Sequence, residues 1–147
     1  MNASNPKTIK LAADGSRVAP DATEFAGILN VRDQIVTVYA SDKNLKSRDA
    51  EKCCAKLAQI PGYTPWELMS DKDGELIVDR RFYNPAVDPE QYPHISSDWH
   101  WTRTPDASSP SDVAWYVYFA TGGINRGYRD LRSRAFAVCR PLPASQQ

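Results

Sequence analysis

The sequence predicts one small α+β domain, and three features support this prediction. Runs rich in β-branched and aromatic residues, typical of strands, occur near both ends, at residues 27–40 and 98–142. A stretch with helical periodicity, residues 47–60, lies between them. Pro85, Pro89 and Pro93 then exclude regular structure from residues 83–98, which we expect to form a long, ordered loop.

Composition is consistent with a single globular domain. The chain has 147 residues, with 18 basic and 18 acidic side chains and a formal net charge of zero. We place the domain at residues 24–143, after a partly loose N-terminal arm of residues 1–23 and before a tail of residues 144–147. Because the net charge is zero and no long apolar run occurs, we predict no sequence-specific nucleic-acid binding and no membrane insertion.

Charge is distributed unevenly along the chain. Residues 51–100 hold five basic and nine acidic groups, whereas residues 101–147 hold six arginines and three acidic groups. Two interpretations follow. Either the acidic and basic parts face each other in the fold, or the arginines form an exposed basic patch.

The first half of the chain predicts two strands and a helix. "GILNVRDQIVTVYA" contains two short strand-like runs separated by a turn at Arg32-Asp33. "SRDAEKCCAKLAQI" has Ser47 as a helix N-cap and is stopped by Pro61-Gly62. Four residues at helical spacing define its apolar face: Ala50, Cys54, Leu57 and Ala58.

"TPWEL" predicts the start of a second, short helix. Thr64 is suited to the N-cap, Pro65 to the first helical position, and Glu67 completes a capping box. Asp73-Gly74 predicts a turn soon afterwards, and "ELIVD" a strand over residues 75–79.

Three further strand signals close the chain: "WHWTRT", "VAWYVYFA" and "AFAVCRPL". A polar loop, "PDASSPSD", joins the first two, and a glycine- and arginine-rich loop, "TGGINRGYRDLRSR", joins the last two. Alternation puts Trp99 and Trp101 on one face of their strand and His100 on the other. We expect the tryptophan faces to be core, and the face with His100, Tyr116 and Tyr118 to lie toward solvent or beneath a loop.

Known catalytic and metal-binding patterns are missing. Cys53-Cys54 lacks the spacing of zinc ligands, and "SDKDGE" has neither the glycine position nor the closing glutamate of a calcium loop. No spacing pairs a cysteine with His94 or His100 as nucleophile and base. We therefore predict no catalytic residue, no metal and no cofactor.

The order of several motifs resembles a known family. "CAKL", "TPWEL", "IVDRRFYNP", "HWTRT", "AWYVYFATGG" and "AVCRP" follow one another over about residues 47–141. This order is similar to the C-terminal domain family of a bacterial collagen-like adhesin (Lcl-type), which has a C-type-lectin-like fold. The chain departs from the family pattern at "IPGY" and at Thr102-Arg103. The calcium-binding signatures of true C-type lectins are also missing, so calcium-dependent sugar binding is not implied.

The resemblance implies roles for four residues. Trp101 and Trp115 match family tryptophans and are expected to be structural. Cys54 and Cys139 match the family's helix and last-strand cysteines. We expect these two thiols to be adjacent, and to form a disulfide under oxidising conditions, with Cys53 free.

Ligand contact is expected on the late strands and loops, where C-type-lectin-like folds commonly bind. Here these are residues 99–104, 106–112 and 121–134. Arg126, Tyr128 and Arg129 form the expected centre, since Arg and Tyr are frequent at binding hot spots. The remaining expected site residues are Asn125, His100 and Arg103. The alternative is that these arginines pair with the acidic segment 67–79 and only stabilise the fold.

Three classes of function remain open. The first is a non-catalytic recognition module of a phage or bacterial surface, with a host protein or surface glycan as partner. The second is an intracellular, phage-encoded inhibitor or adaptor that binds a host protein. The third is an oxidase-like enzyme, which needs a cysteine arrangement that we do not find. The N-terminus has no signal-peptide core, so we expect a virion or host-cytoplasm location.

Overall fold

The computed structural model describes residues 6–144; residues 1–5 of the expected arm and 145–147 of the tail lie outside the described residues. The described residues form two α-helices and eight strands, and the strands make up two antiparallel sheets, which confirms the α+β fold class. The helices are α1 (Ser47–Lys56) and α2 (Asp71–Ile77). The strands are β1 (Thr8–Leu11), β2 (Gly27–Asn30), β3 (Ile35–Tyr39), β4 (Glu67–Leu68), β5 (Trp99–Pro105), β6 (Val113–Tyr118), β7 (Gly123–Tyr128) and β8 (Phe136–Cys139).

The larger sheet has the order β1-β2-β3-β8-β4. Its strand β8 is buried on both faces, which explains the continuous apolar sequence "FAVC". Phe136 and Val138 face one hydrophobic cluster, while Ala137 and Cys139 face the other.

The smaller sheet has the order β5-β6-β7, so β7 is an edge strand. Its register places Trp99 opposite Tyr118 and Trp101 opposite Tyr116. The four rings stack in the order Trp101, Tyr116, Trp99 and Tyr118, with centroid separations of 5.1, 4.1 and 4.6 Å. The expectation that His100 shares a face with these tyrosines is wrong, because His100 pairs with Val117 on the opposite face.

Several predicted elements are confirmed. The structure has the β2–β3 pair with its turn, the start of helix α1, the late strands β5, β6 and β8, and the irregular segment before β5 where the sequence placed them. The predicted stop of α1 at Pro61-Gly62 is wrong, because the helix ends at Lys56 and leaves Leu57 and Ala58 outside it.

The long loop is ordered by polar contacts with the larger sheet. Asn30 Nδ2 donates to the Gln91 carbonyl at 2.9 Å, and Tyr92 Oη donates to Asp33 at 2.7 Å.

The predicted N-cap of α1 is wrong. Lys46 is the N-cap, and Ser47 is the first helical residue. Ser47 is buried, where its backbone N–H donates to the Arg129 carbonyl at 2.9 Å. Its hydroxyl accepts from Arg129 at 2.9 Å, so it is used in tertiary contact and not in capping.

The second helix starts later than predicted. "TPWEL" leads into β4, because Glu67–Leu68 pair with β8 in the larger sheet. Thr64 also exchanges hydrogen bonds with Arg140, which follows β8. Helix α2 begins after Ser70, which forms a capping box with Asp73. Asp73-Gly74 is therefore helical instead of a turn, and Glu75–Ile77 is helix where a strand was predicted.

Besides β4, two strands were not predicted. β7 occupies most of the segment that was expected to be a glycine- and arginine-rich loop. β1 lies within the expected N-terminal arm and pairs with β2. The domain boundary at residue 24 stays a prediction.

Candidate recognition site

A polar pocket lies at the end of the smaller sheet where β6 begins and β7 ends. The β5–β6 loop folds over this end, since Val113 N donates to the Ser109 carbonyl at 3.0 Å and Arg129 N to the Asp112 carbonyl at 2.9 Å. The pocket has a volume of about 390 Å³. We call it the Asp106 pocket; it is lined by Asp106, Ser108, Ser109, Val113, Asn125, Arg126, Gly127 and Tyr128.

The Asp106 carboxylate is fixed by its neighbours. It accepts hydrogen bonds from the Ser108 hydroxyl at 2.9 Å and from Arg126 Nη1 at 3.4 Å. The hydroxyl bond, and then the nearby Arg126 guanidinium, hold the pKa of Asp106 below its usual range. The pocket therefore contains a carboxylate that is ionised at neutral pH.

Arg126 and Asn125 enter the pocket from the edge strand. The Arg126 side chain is 55% exposed although it pairs with Asp106. Its backbone N–H donates to Asn125 Oδ1 at 2.8 Å. This bond satisfies a backbone N–H on the edge strand β7. The amide hydrogens of Asn125 have no partner among residues 6–144.

Tyr128 ends β7 opposite Val113 and is 67% exposed. It lies two residues after Arg126, so the two side chains share one face of the strand. Within the described part of the chain, the Tyr128 ring has no aromatic or hydrogen-bond partner. An exposed aromatic ring thus stands beside a polar pocket.

Arg129 is structural in this arrangement. Its side chain is only 11% exposed, and it donates to the Pro110 carbonyl, to the Ser47 hydroxyl and toward Glu51 at 3.6 Å. These contacts tie α1 to the β5–β6 loop. The structure therefore places Arg129 behind the predicted contact surface, because its donors are already used.

His100 was expected to border the site, and the structure places it in the core. It is completely buried, with Nε2 2.6 Å from the Tyr39 hydroxyl and Nδ1 2.8 Å from the Asp98 carbonyl oxygen. Burial lowers its pKa to about 3. A neutral, buried imidazole is not available to a partner at the surface.

Arg103 is exposed but lies away from the pocket. It is on β5, which β6 separates from β7. Its side chain lies 3.4 Å from Glu67, and its backbone N–H donates to the Met69 carbonyl. Of the residues expected to bind, the structure brings only Asn125, Arg126 and Tyr128 to the pocket.

The residues expected to be structural lie in or beside the core. Trp101 is fully buried, and its Nε1 donates to the Leu45 carbonyl at 2.9 Å. Trp115 is half-buried on the opposite face of the smaller sheet. Cys54 and Cys139 are buried in the same hydrophobic cluster.

All three thiols are free in the structure. Burial raises the pKa of both Cys54 and Cys139 to about 12. The conditional disulfide between them stays a prediction.

Sequence reasoning missed Asp106, Ser108 and Ser109 as individual site residues. The signal was present in "PDASSPSD", because an aspartate followed two residues later by serine forms local turns through its side chain. What the sequence did not give was the pairing of Asp106 with Arg126, which depends on β7 being a strand.

A second exposed surface lies at the other end of the smaller sheet. Residues 79–86 form a loop closed by Asp79 N donating to the Ala86 carbonyl at 2.8 Å, and Asn84 N bonds the Ala120 carbonyl. Tyr83 is 77% exposed on this loop. Tyr83 and Tyr128 are thus exposed tyrosines at opposite ends of one sheet.

Among residues 6–144, no group of three or more histidine, cysteine, aspartate or glutamate side chains is placed to hold a metal ion. Neither helix in this range has the length and apolarity needed to cross a membrane.

A family model described as the Lcl C-terminal domain matches residues 20–139. No curated protein matches, and no solved structure matches. The C-type-lectin-like topology stays a prediction from the sequence resemblance.

Proposed function

Because the chain belongs to the Lcl C-terminal domain family, which is adhesin-associated, we propose that it is a non-catalytic recognition module. In this proposal it is part of a phage or bacterial surface and contacts a host receptor or glycan. The contact surface consists of the Asp106 pocket with Arg126 and Tyr128 beside it.

The observation that carries the proposal is the exposed pair Arg126 and Tyr128 on a fixed strand. Tyrosine and arginine are enriched among residues that contribute most to binding. Here their backbone is held by pairing with β6 and by the Asn125 side chain. A surface that is already ordered loses less conformational entropy when it binds.

Two further observations support the non-catalytic part of the proposal. A cysteine nucleophile reacts as the thiolate, and the raised pKa of Cys54 and Cys139 keeps both thiols protonated at neutral pH. Burial also lowers the pKa of His94 to about 4 and of His100 to about 3. Neither histidine lines the Asp106 pocket.

Binding of the labelled protein to a panel of intact bacterial and eukaryotic cells tests the proposal. We expect saturable binding to at least one cell type, reduced more than tenfold in the double variant Arg126→Ala, Tyr128→Ala, because each residue of such a pair contributes roughly 1–3 kcal/mol. The matched control is Arg81→Ala, Tyr83→Ala, which removes the same residue types from the opposite end of the sheet.

Melting temperatures of both double variants that equal that of the parent chain establish that folding is intact. Undiminished binding by the Arg126, Tyr128 variant contradicts the proposal. So does an equal loss in the control variant, or a failure to bind any cell in the panel.

A further inference from the structure

Part of the long loop before β5 runs along the β2–β3 hairpin as a strap, which we define as residues 91–96. The loop is fixed on both sides of the strap to the residue that follows β6. Ala86 N donates to the Phe119 carbonyl at 2.6 Å, and Phe119 N donates to the Asp98 carbonyl at 3.1 Å. Between these anchors the strap packs Tyr92 into the hydrophobic cluster that contains Phe119. The strap therefore covers part of the core.

Side chains alone hold the strap on the larger sheet. Four residues of the hairpin bond to successive positions of the strap. In chain order the pairs are Asn30–Gln91, Asp33–Tyr92, Thr37–His94 and Tyr39–Ser96, with shortest distances of 2.9, 2.7, 3.0 and 2.9 Å. Among residues 6–144, no backbone–backbone hydrogen bond joins the strap to this sheet. The strap can therefore leave the sheet without breaking the pairing of any strand.

His94 is the titratable contact of the strap. Its Nε2 lies 3.0 Å from the Thr37 hydroxyl oxygen, whereas its buried Nδ1 has no hydrogen-bond partner in the part of the chain that the structure describes. A neutral imidazole donates from one nitrogen, but the imidazolium ion donates from both. Protonation in the closed strap thus produces a buried charge with a donor that has no acceptor, which is costly.

The side chains that face His94 do not compensate a positive charge. The rings of Tyr39 from β3 and Phe136 from β8 lie against it, with centroid separations of 6.3 and 5.5 Å. Tyr39 also contacts the Arg134 guanidinium at 4.4 Å and the His100 ring of β5 at 5.5 Å. Arg134 adds a second positive charge to this cluster. No carboxylate of residues 6–144 forms an ion pair with His94.

The acidic side chains nearby have other partners. Glu90, just before the strap, pairs with Lys7, and both side chains are exposed. Asp33 accepts a hydrogen bond from Tyr92. Burial opposes its ionisation, but hydrogen bonds from Arg32 and Tyr92 hold the pKa of Asp33 below its usual range. Mild acid therefore leaves the bond between Asp33 and the strap in place and acts on His94.

We propose that the strap is an acid-released lid, in which protonation of His94 frees residues 91–96 from the larger sheet while both sheets stay folded. Burial lowers the pKa of His94 to about 4 in the closed form, and the open form regains the ordinary value of 6.5. Protons therefore bind the open form more tightly, and acid shifts the equilibrium toward it. Opening uncovers the part of the hydrophobic cluster on which Tyr92 and Ile95 pack.

Amide hydrogen exchange of the ¹⁵N-labelled full chain at pH 7.5 and pH 5 tests the inference. The Ser96 N–H reports on the strap, because it donates to Tyr39 Oη, and the N–H groups of β8 report on the whole domain. The protection factor of Ser96 should fall roughly twenty- to thirtyfold at pH 5, because the pKa of His94 rises from about 4 to 6.5 on opening. It should stay below the protection factors of β8 at both pH values, since the strap opens without global unfolding.

His94→Gln keeps a hydrogen-bonding side chain opposite Thr37 but does not titrate. In this variant the protection factor of Ser96 should be the same at both pH values. Glu90→Gln is the matched control, because it removes the ion pair with Lys7 and should keep the pH dependence of the parent chain. If His94→Gln does not fold, the imidazole chemical shifts of His94 in the parent chain replace it. Loss of Ser96 protection should then level off at the pH where the folded chain protonates His94.

Four results overturn the inference. The first is a Ser96 protection factor that is equal at pH 7.5 and pH 5 in the parent chain. The second is a Ser96 protection factor equal to those of β8 at pH 5, which means that the strap opens only by global unfolding. The third is the same pH dependence in His94→Gln as in the parent. The fourth is a pH dependence that Glu90→Gln abolishes, which assigns the effect to the pair with Lys7.

Discussion

Trp101 and Trp115 lie on opposite faces of the same sheet and differ in burial. Trp101 is fully buried, stacks on Tyr116 and bonds the Leu45 carbonyl, whereas Trp115 is half-buried. Trp101→Ala should lower the free energy of unfolding by about 3–5 kcal/mol, and Trp115→Ala by less. Urea denaturation of both variants measures this difference. A larger loss for Trp115 than for Trp101 contradicts the structure.

The two histidines predict how stability depends on pH. Burial lowers the pKa of His94 to about 4 and of His100 to about 3, from an ordinary value of 6.5. Below pH 6.5 the unfolded chain therefore binds more protons than the folded chain. The free energy of unfolding does not depend on these histidines above pH 6.5, and it decreases as the pH falls from 6.5 toward 4 and 3. The slope approaches about 1.4 kcal/mol per pH unit for each histidine.

Urea unfolding at pH 7.5 and pH 5 measures this effect. His100→Gln keeps a hydrogen-bonding side chain beside Tyr39 but does not titrate. The variant should lose less stability than the parent between the two pH values. An equal loss in parent and variant contradicts the assigned role of His100.

At the scale of single elements, helix α2 depends on a glycine for its packing. A Cβ added at Gly74 would lie 2.7 Å from Val117 Cγ2, which belongs to a stiff, buried side chain. Gly74→Ala gains about 1 kcal/mol of helix propensity but incurs roughly 1–3 kcal/mol of overpacking. We expect a net destabilisation in thermal and urea unfolding.

The Val117→Ala background separates the two effects. With the Val117 methyl groups removed, Gly74→Ala should become neutral or stabilising. The same destabilisation in both backgrounds means that close packing on Val117 is not the reason for the glycine.

The elements that sequence predicted wrongly had competing local signals. Thr64, Pro65 and Glu67 fit a helix start, but pairing with β8 overrides this preference and makes the segment a strand. The real start, Ser70 with Asp73, was obscured because Asp73-Gly74 also fits a turn. Strand β7 lacks an alternating apolar pattern because most of its side chains are exposed, and only its pairing with β6 defines it as a strand.

For the molecule as a whole, the sequence predicted the fold class. Of the expected site residues, Arg126 and Tyr128, chosen for their residue types, and Asn125 line the Asp106 pocket. His100 was misassigned because alternation alone does not tell which strand face is covered. Asp106 and Arg126 lie 20 residues apart in the sequence, and only the folding of the three-stranded sheet brings them together.

Charge distribution also has its explanation at this scale. Arg103 pairs with Glu67 and Arg140 with Asp73, so part of the basic C-terminal segment does face the acidic middle segment. Arg129 likewise pairs with Glu51 of the acidic part, whereas Arg126 pairs with Asp106 of the basic part. The acidic and basic parts therefore face each other at Arg103, Arg129 and Arg140.

We place the partner contact at the β6-start, β7-end side of the smaller sheet. Hydroxyl-radical footprinting of the parent chain, free and bound to the cell type that captures it, tests this claim without any substitution. Tyr128, 67% exposed, and Tyr83, 77% exposed, report the two ends in a single sample. We expect oxidation of Tyr128 to fall several-fold on binding and that of Tyr83 to stay unchanged. Protection of Tyr83 with Tyr128 unchanged would contradict it.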